Sequence, residues 1–209
     1  MNSKLLFHIT DYRNLSSILK NGGLSSYAKL RSTEVSYKDI AHQNIQERRS
    51  TTEIQVPPYG VLHNYVPFYF APRSPMLYAI ANGIVEGFEG NQSDIIYLVA
   101  NIDKIRESGK RFVFTDGHAI MALTDFYNDL NDLNEIDWPL MEGTYWHDTD
   151  QYPDRKRKRQ AEFLVYESVP LECILGIGVQ TKQMKTTIEN LLLEHNIDMK
   201  VLERPNFYF

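Results

Sequence analysis

The stretch RKRKRQAEFLVYE, residues 155–167, runs five consecutive cations, Arg155 to Arg159, into a carboxylate and an apolar segment. Phe163, Leu164, Val165 and Tyr166 are apolar without interruption, which reads as a buried strand. Glu162 is then the first residue of that strand, where a carboxylate costs several kcal/mol unless it is paired or faces a polar cleft. Two readings follow. Glu162 is a strand-edge carboxylate paired with Arg159, or it stands at a cleft, holding a ligand hydroxyl and stabilising positive charge that develops in a transition state.

Outward from this strand the chain alternates strands and helices. Leu5, Leu6, Phe7 and Ile9 form a short strand; Asp11 caps a helix that carries Leu15, Ile18 and Leu19 inward until Gly22 and Gly23 end it. Residues 25–60 are polar and weakly periodic and read as a long functional loop with a short helix around Ile40 to Arg49. YVPFYFAP, 65–72, is strand-like, and Ser74 and Pro75 open a helix with Met76, Leu77, Ile80 and Ile84 on one face. Strands are expected at 95–102 and 111–116, then a helix from about Ala119 to Leu133 on the spacing of Ile120, Leu123, Phe126, Tyr127 and Leu130. Asn134 to Gln160 has no period and reads as a solvated surface loop. Strands at 162–169 and 174–180, a helix at about 183–195 and a last strand, KVLERPNFYF, complete a mixed α+β core.

A chain of 209 residues with 43% hydrophobic content suits one domain, 1–209, without linker, repeat or low-complexity tract. Net charge is −5, so any polyanion site is a local patch, and Arg155 to Arg159 is the candidate. The lone Cys173 excludes an intrachain disulfide and a zinc set and fits a reducing, cytoplasmic setting. The start, MNSKLLFHIT, has too short an apolar stretch for a signal peptide, and no apolar run is long enough to span a membrane. Metal-protease, calcium-loop and phosphate-loop motifs are absent. Gly176-Ile177-Gly178 lacks the third glycine of a dinucleotide turn, so no metal and no Rossmann-type cofactor site are expected.

His8 and Thr10 end the first strand on the same face, with Asn14 one turn into the next helix. Arg48 and Arg49 are adjacent surface charges or a bidentate phosphate clamp. Tyr69 stands beside the capped helix start at Ser74, and His118 follows a strand. Tyr145, Trp146 and Tyr152 lie just before the cationic run, and aromatics beside cations suit single-stranded nucleic acid.

Five blocks together, HIT (8–10), IAHQNIQERRS (40–50), PPYGVLHNYVPFYFAPRSPMLYAI (57–80), FVFTDGHA (112–119) and QAEFLVYE (160–167), resemble the DarT family of DNA ADP-ribosyltransferase toxins in order and spacing. The resemblance implies an ADP-ribosyltransferase-like mixed two-sheet core with flanking helices and NAD in a cleft between the sheets. It also implies transfer of ADP-ribose to thymidine bases in single-stranded DNA, and a macrodomain antitoxin as partner. By position, Glu162 and Arg49 are the implied catalytic pair. His8, Thr10, Asn14, Arg49, Tyr69 and Met76 are the implied NAD contacts, and His118, Trp146, Arg155, Lys158 and Arg159 the implied DNA contacts. Either Arg49 or His118 would assist deprotonation of thymine. An ADP-ribosyltransferase acting on RNA or protein would share the NAD half of this site. A catalytically silent single-stranded nucleic-acid binder would keep the cations and aromatics alone.

Overall fold

The computed structural model describes residues 4–33 and 37–209. The first three residues of the chain, and residues 34–36 of the expected long loop, lie outside the described residues. In chain order the elements are β1 Leu5–Asp11, α1 Leu15–Lys20, β2 Gly23–Ser25, α2 Tyr27–Ser32, α3 Gln43–Thr51, β3 Tyr65–Tyr69, α4 Pro75–Ala81 and β4 Ile95–Asn101. They continue as α5 Ile102–Glu107, β5 Phe112–His118, β6 Phe126–Tyr127, α6 Trp138–Glu142, α7 Arg155–Lys158, β7 Ala161–Tyr166, β8 Ser168–Pro170, β9 Ile174–Val179, α8 Lys182–Glu194 and β10 Val201–Glu203.

Local chemistry sets many of these boundaries. The Asp11 carboxylate accepts from the Arg13 amide at 2.9 Å and starts the 3-10 turn that leads into α1. Gly22, at φ +70°, supplies the left-handed residue that ends α1. The Ser74 hydroxyl accepts from the Leu77 amide at 3.2 Å, with Pro75 in the first turn of α4.

Eight strands form one sheet in the order β10-β9-β4-β1-β3-β7-β5-β6, and β2 and β8 pair separately. The large sheet is two ladders meeting at a seam. β1 pairs with β4 along its whole length, from Leu5↔Asn101 to Asp11↔Ile95, and β3 pairs with β7 from Tyr65↔Tyr166 to Tyr69↔Glu162. Between β1 and β3 the register holds a single pair, Phe7↔Tyr69. The mixed two-group core is therefore one sheet parted at β1/β3.

Both faces of the sheet are covered, which explains the unbroken apolar run of β7. Phe163 and Val165 pack into the largest core cluster with Phe114, Leu98 and Ile188, while Leu164 points the other way toward Leu62, Tyr65 and Val113. A third cluster joins Ile9, Leu77, Ile80 and Tyr97 to Tyr208. Fully burying a side chain of this size contributes about 1.5–3 kcal/mol.

Five expectations change. The helix expected over 119–133 is absent; in its place turns lead to β6 and a 3-10 segment, Leu130–Glu135. Polar side chains there capture backbone groups a helix would use: the Thr124 hydroxyl donates to the His118 carbonyl at 2.9 Å, and Asp116 accepts from the Asp125 amide at 2.9 Å. Phe126 and Tyr127 were apolar because they pair with β5, and Leu123 is 79% exposed. The 134–160 segment holds α6 and α7 and buries Trp146. The strand expected over 162–169 breaks at Glu167, whose φ is +62°, and β8 leaves for the small sheet. The C-terminal stretch is strand only over Val201–Glu203, and Ile84 faces solvent.

Candidate active site

A cavity of about 350 Å³ opens where β1 and β3 part, roofed by the segment that carries α3. His8, Thr10, Asn14, Arg49, Tyr69, Met76, His118 and Glu162, drawn from seven separate stretches of chain, all line it. A hydrogen bond crosses the seam: the Pro67 carbonyl can only accept, so His8 Nδ1 carries the proton and donates to it at 2.8 Å. Burial pushes the His8 imidazole below its usual pKa, so the ring is neutral and Nε2 is its acceptor.

Glu162 is 2% exposed, opposite Tyr69 in the β3–β7 ladder. Its counter-charge is Arg49, not Arg159. Arg49 Nη1 donates to both carboxylate oxygens, at 2.9 and 3.1 Å, and the Ala119 amide donates to Oε1 at 3.3 Å. Arg49 Nη2 is buried and has no partner among the described residues. Leaving a buried donor unsatisfied costs about 1–3 kcal/mol; Arg73 Nε and Arg159 Nε are likewise buried without a partner among the described residues, but of the three residues only Arg49 lines the cavity. α3 buries none of its residues. It is docked by polar contacts: the Arg49 pair, Arg48 donating to the Ile120 carbonyl at 2.7 Å, and Gln46 donating to Asp39 at 2.9 Å.

The acceptor side is shaped by a bulge. The β5–β7 register runs Phe114↔Phe163 and resumes at His118↔Ala161, so β5 spends extra residues over this interval. The Thr115 hydroxyl fills the gap, accepting from the Glu162 amide at 3.0 Å and donating to the Gly117 carbonyl at 2.7 Å. This detour brings His118 and the Ala119 amide to the carboxylate. Burial lowers the His118 pKa although Glu162 opposes it, leaving a neutral imidazole able to accept a proton. Tyr69 is held well above the usual phenol range by burial and by the Glu162 charge, and its hydroxyl reaches Met76 Sδ at 3.6 Å. Asn14 lines the cavity, but its amide is engaged with Thr10 and with both backbone groups of Lys38, at 2.7 and 2.9 Å.

The cationic run divides by direction. Arg155 to Lys158 make one helical turn, so neighbouring side chains leave it about 100° apart. Arg155 stacks its guanidinium 4.3 Å from the ring of exposed Tyr152, Lys156 reaches the cavity, and Lys158 is half exposed, 3.9 Å from Asp137. Arg159 turns inward and is 4% exposed, donating to the carbonyls of Leu140, Met141, Gly143 and Pro72 at 2.6–3.0 Å. Trp146 is 3% exposed, stacked on His147 and edge-on to Tyr78. Arg159 and Trp146, expected as DNA contacts, are buried in this structure and hold the loop from inside. No cluster of three or more His, Cys, Asp or Glu among the described residues is placed to hold a metal ion.

A family model described as ssDNA thymidine ADP-ribosyltransferase, DarT, matches residues 7–209. The chain belongs to the DarT family. A DNA ADP-ribosyl transferase from Thermus sp. strain 2.9 is 39% identical over 187 residues, covering 90% of this chain and 86% of that protein. The solved structure of Thermus sp. 2.9 DarT in complex with ADP-ribosylated ssDNA matches with a TM-score of 0.92 at 36% identity, over 99% of this chain and 96% of the other. The same DarT in complex with NAD+ gives a TM-score of 0.90 at 33% identity, over 100% and 99%. A Thermosipho africanus fusion of DNA ADP-ribosyl transferase and DNA ADP-ribosyl glycohydrolase is 27% identical over 206 residues, 98% of this chain and 49% of the fusion.

The cavity also contains residues that sequence reasoning did not assign to the site. Lys156 and Gln160 line it beside Glu162, and its far end holds Tyr27 stacked on His63, ring centroids 4.1 Å apart, with Tyr37 edge-on to Tyr27. Tyr27 and His63 are 36 positions apart and carry no shared motif, so only the fold joins them. Lys156 was legible as a cation; its direction was set by the helical turn.

Proposed function

We propose that residues 1–209 act as one NAD-dependent DNA ADP-ribosyltransferase unit, modifying thymidine in single-stranded DNA. The observation that carries the residue assignments is the buried Arg49–Glu162 pair at the foot of the cleft, with Arg49 Nη2 unpartnered among the described residues. NAD bound there supplies the ADP-ribosyl group, the bond from nicotinamide to ribose giving way to a bond from the thymine ring nitrogen. Glu162 accepts a hydrogen bond from a ribose hydroxyl, and its charge stabilises the positive charge that develops on the sugar. Arg49 holds the carboxylate with Nη1 and offers Nη2 to a ligand oxygen. His8, Thr10, Tyr69 and Met76 form the walls against the dinucleotide, and Asn14 holds the Lys38 backbone over it. Arg49 is committed to its ion pair, so the neutral His118 imidazole is the group that takes the thymine proton.

Arg155, Lys156 and Lys158 guide the DNA backbone, with Tyr152 and Tyr145 as stacking surfaces. A single strand is the fitting acceptor because a paired thymine hides the reacting nitrogen. The partner we propose is a macrodomain antitoxin that removes the modification, making this chain the toxin; the fused relative, which carries a glycohydrolase, supports that reading. No helix among the described residues is long and apolar enough to cross a membrane, and an NAD- and DNA-directed reaction with one buried thiol suits the cytoplasm.

The test is intact-mass analysis of thymine-containing single-stranded oligonucleotides after incubation with NAD, beside RNA of equal sequence and the Glu162→Ala variant. A gain of one ADP-ribose on DNA alone, lost in the variant, is expected. A gain on RNA would replace the acceptor, and no gain on either would leave a protein acceptor or the silent binder.

A further inference from the structure

Arg157 stands in the middle of the cationic run yet faces the protein. Its Nη1 donates to both carboxylate oxygens of Asp116, at 3.1 and 3.2 Å, and to the Thr124 hydroxyl at 3.1 Å. Nη2 donates to Asp116 at 3.1 Å and Asp154 at 2.8 Å, and Nε donates to both oxygens of Asp154, at 2.9 and 3.1 Å. Every nitrogen of the guanidinium is engaged, and the side chain is 10% exposed. It therefore has no donor left for a DNA phosphate.

Its partners are informative. Asp116 belongs to the bulge of β5 that carries His118, and Thr124 closes the turn beyond it, donating to the His118 carbonyl. Asp154 ends the aromatic loop that precedes Glu162 in the chain. The fold leaves room for the guanidinium at Gly117: a methyl there would overlap Arg157 Nη1 and meet Cγ and Cζ at 3.0 Å. Gly117 is not in the left-handed region, so what a side chain there would meet is the Arg157 side chain itself, which would have to shift.

We infer that Arg157 is a positioning residue that locks the His118 bulge to the loop before Glu162, fixing the acceptor half of the site without touching DNA. The inference rests on the transferase reading above. Arg157 acts on geometry alone: with the strut gone, Thr115 still tethers the bulge from the Glu162 side, but the outer side, where His118 meets the incoming base, is released. The NAD half, built on β1, β3, α3 and α4, makes no hydrogen bond to Arg157 itself; its link to the bulge runs through Arg48 and the Ile120 carbonyl.

The test compares Arg157→Ala, Arg157→Lys and Gly117→Ala with the parent in three measurements: kcat for oligonucleotide modification, NAD affinity by calorimetry, and the salt dependence of oligonucleotide binding. Expected are a kcat lower by about 10- to 100-fold for Arg157→Ala, a smaller loss for Arg157→Lys, and the same direction of change for Gly117→Ala. NAD affinity and salt slope should stay within about twofold of the parent values. The Gly117→Ala arm keeps the test open where Arg157→Ala fails to fold, since it displaces the guanidinium and deletes no charge. A salt slope shallower by about 0.7 in Arg157→Ala would overturn the inference by making Arg157 a phosphate contact. A parallel loss of NAD affinity in both substituted positions would overturn it by making the cluster a general scaffold, and so would unchanged kcat. Absence of oligonucleotide modification by the parent would instead refute the transferase reading.

Discussion

Glu162 and Arg49 show how a residue's cost and its use coincide. Removing one member of a buried pair strands the other, so Glu162→Ala should lose about 3–5 kcal/mol in denaturant titration as well as at least about 100-fold in transfer. The double change Arg49→Met with Glu162→Leu should recover part of that stability and none of the activity, separating the two contributions. His118 and His8 give a pH signature. Both are held below the usual 6.5 by burial, so the unfolded chain binds more protons than the native one once pH drops beneath that value. Their contribution to stability is complete above about pH 6.5 and is lost as pH falls through the native pKa. Transfer should be flat through neutrality and fall in acid, and His118→Gln should flatten the acid limb of the kcat profile. The blocks that carried the resemblance were sharp enough to name residues that the fold gathers into one cavity. The inward direction of Arg159 and Trp146 could not be read in advance, because a charge run or an aromatic cluster, seen as composition, has no direction.

Elements were legible where burial imposed a period. β7 is covered on both faces and reads as a strand; α4 has its cap, its proline and its inward Leu77 and Ile80. The 119–133 segment failed for a local reason: Asp116 and Thr124 take backbone partners there, and the apolar spacing belonged to a two-residue strand. The hydroxyl of Thr115 stands in for a missing rung of the ladder. Thr115→Val, nearly isosteric, leaves the Glu162 amide unsatisfied and should cost about 1–3 kcal/mol, measured by chemical denaturation, with a larger relative loss of DNA modification than of NAD binding. α3, which buries none of its residues fully and rests Ile45 at the edge of the core, should exchange its amide hydrogens faster than β7, and NAD should slow α3 selectively. Mass-resolved hydrogen exchange with and without NAD reads both.

For the whole molecule, a net charge of −5 means that attraction for DNA must come from local patches, of which the 155–159 run is the densest in cations. Two of the five consecutive cations, Arg157 and Arg159, are spent internally. Three remain, and at about 0.7 per phosphate on a single strand the logarithmic salt dependence of binding should have a slope near −2, well short of the value five contacts would give. Charge balance was plain in the sequence; the division of labour within the run needed the fold. The seam at Phe7↔Tyr69 has one further meaning, which lies in the order of synthesis. Strands alternate across it, β1 and β4 on one side and β3 and β5 on the other, before β7 enters the sheet between β3 and β5. A nascent chain that has not yet delivered residues 161–166 lacks both the carboxylate and the strand that completes its wall of the cleft. The Arg49–Glu162 pair can therefore form only after about three-quarters of these 209 residues have been made, when one central strand takes its place between two others.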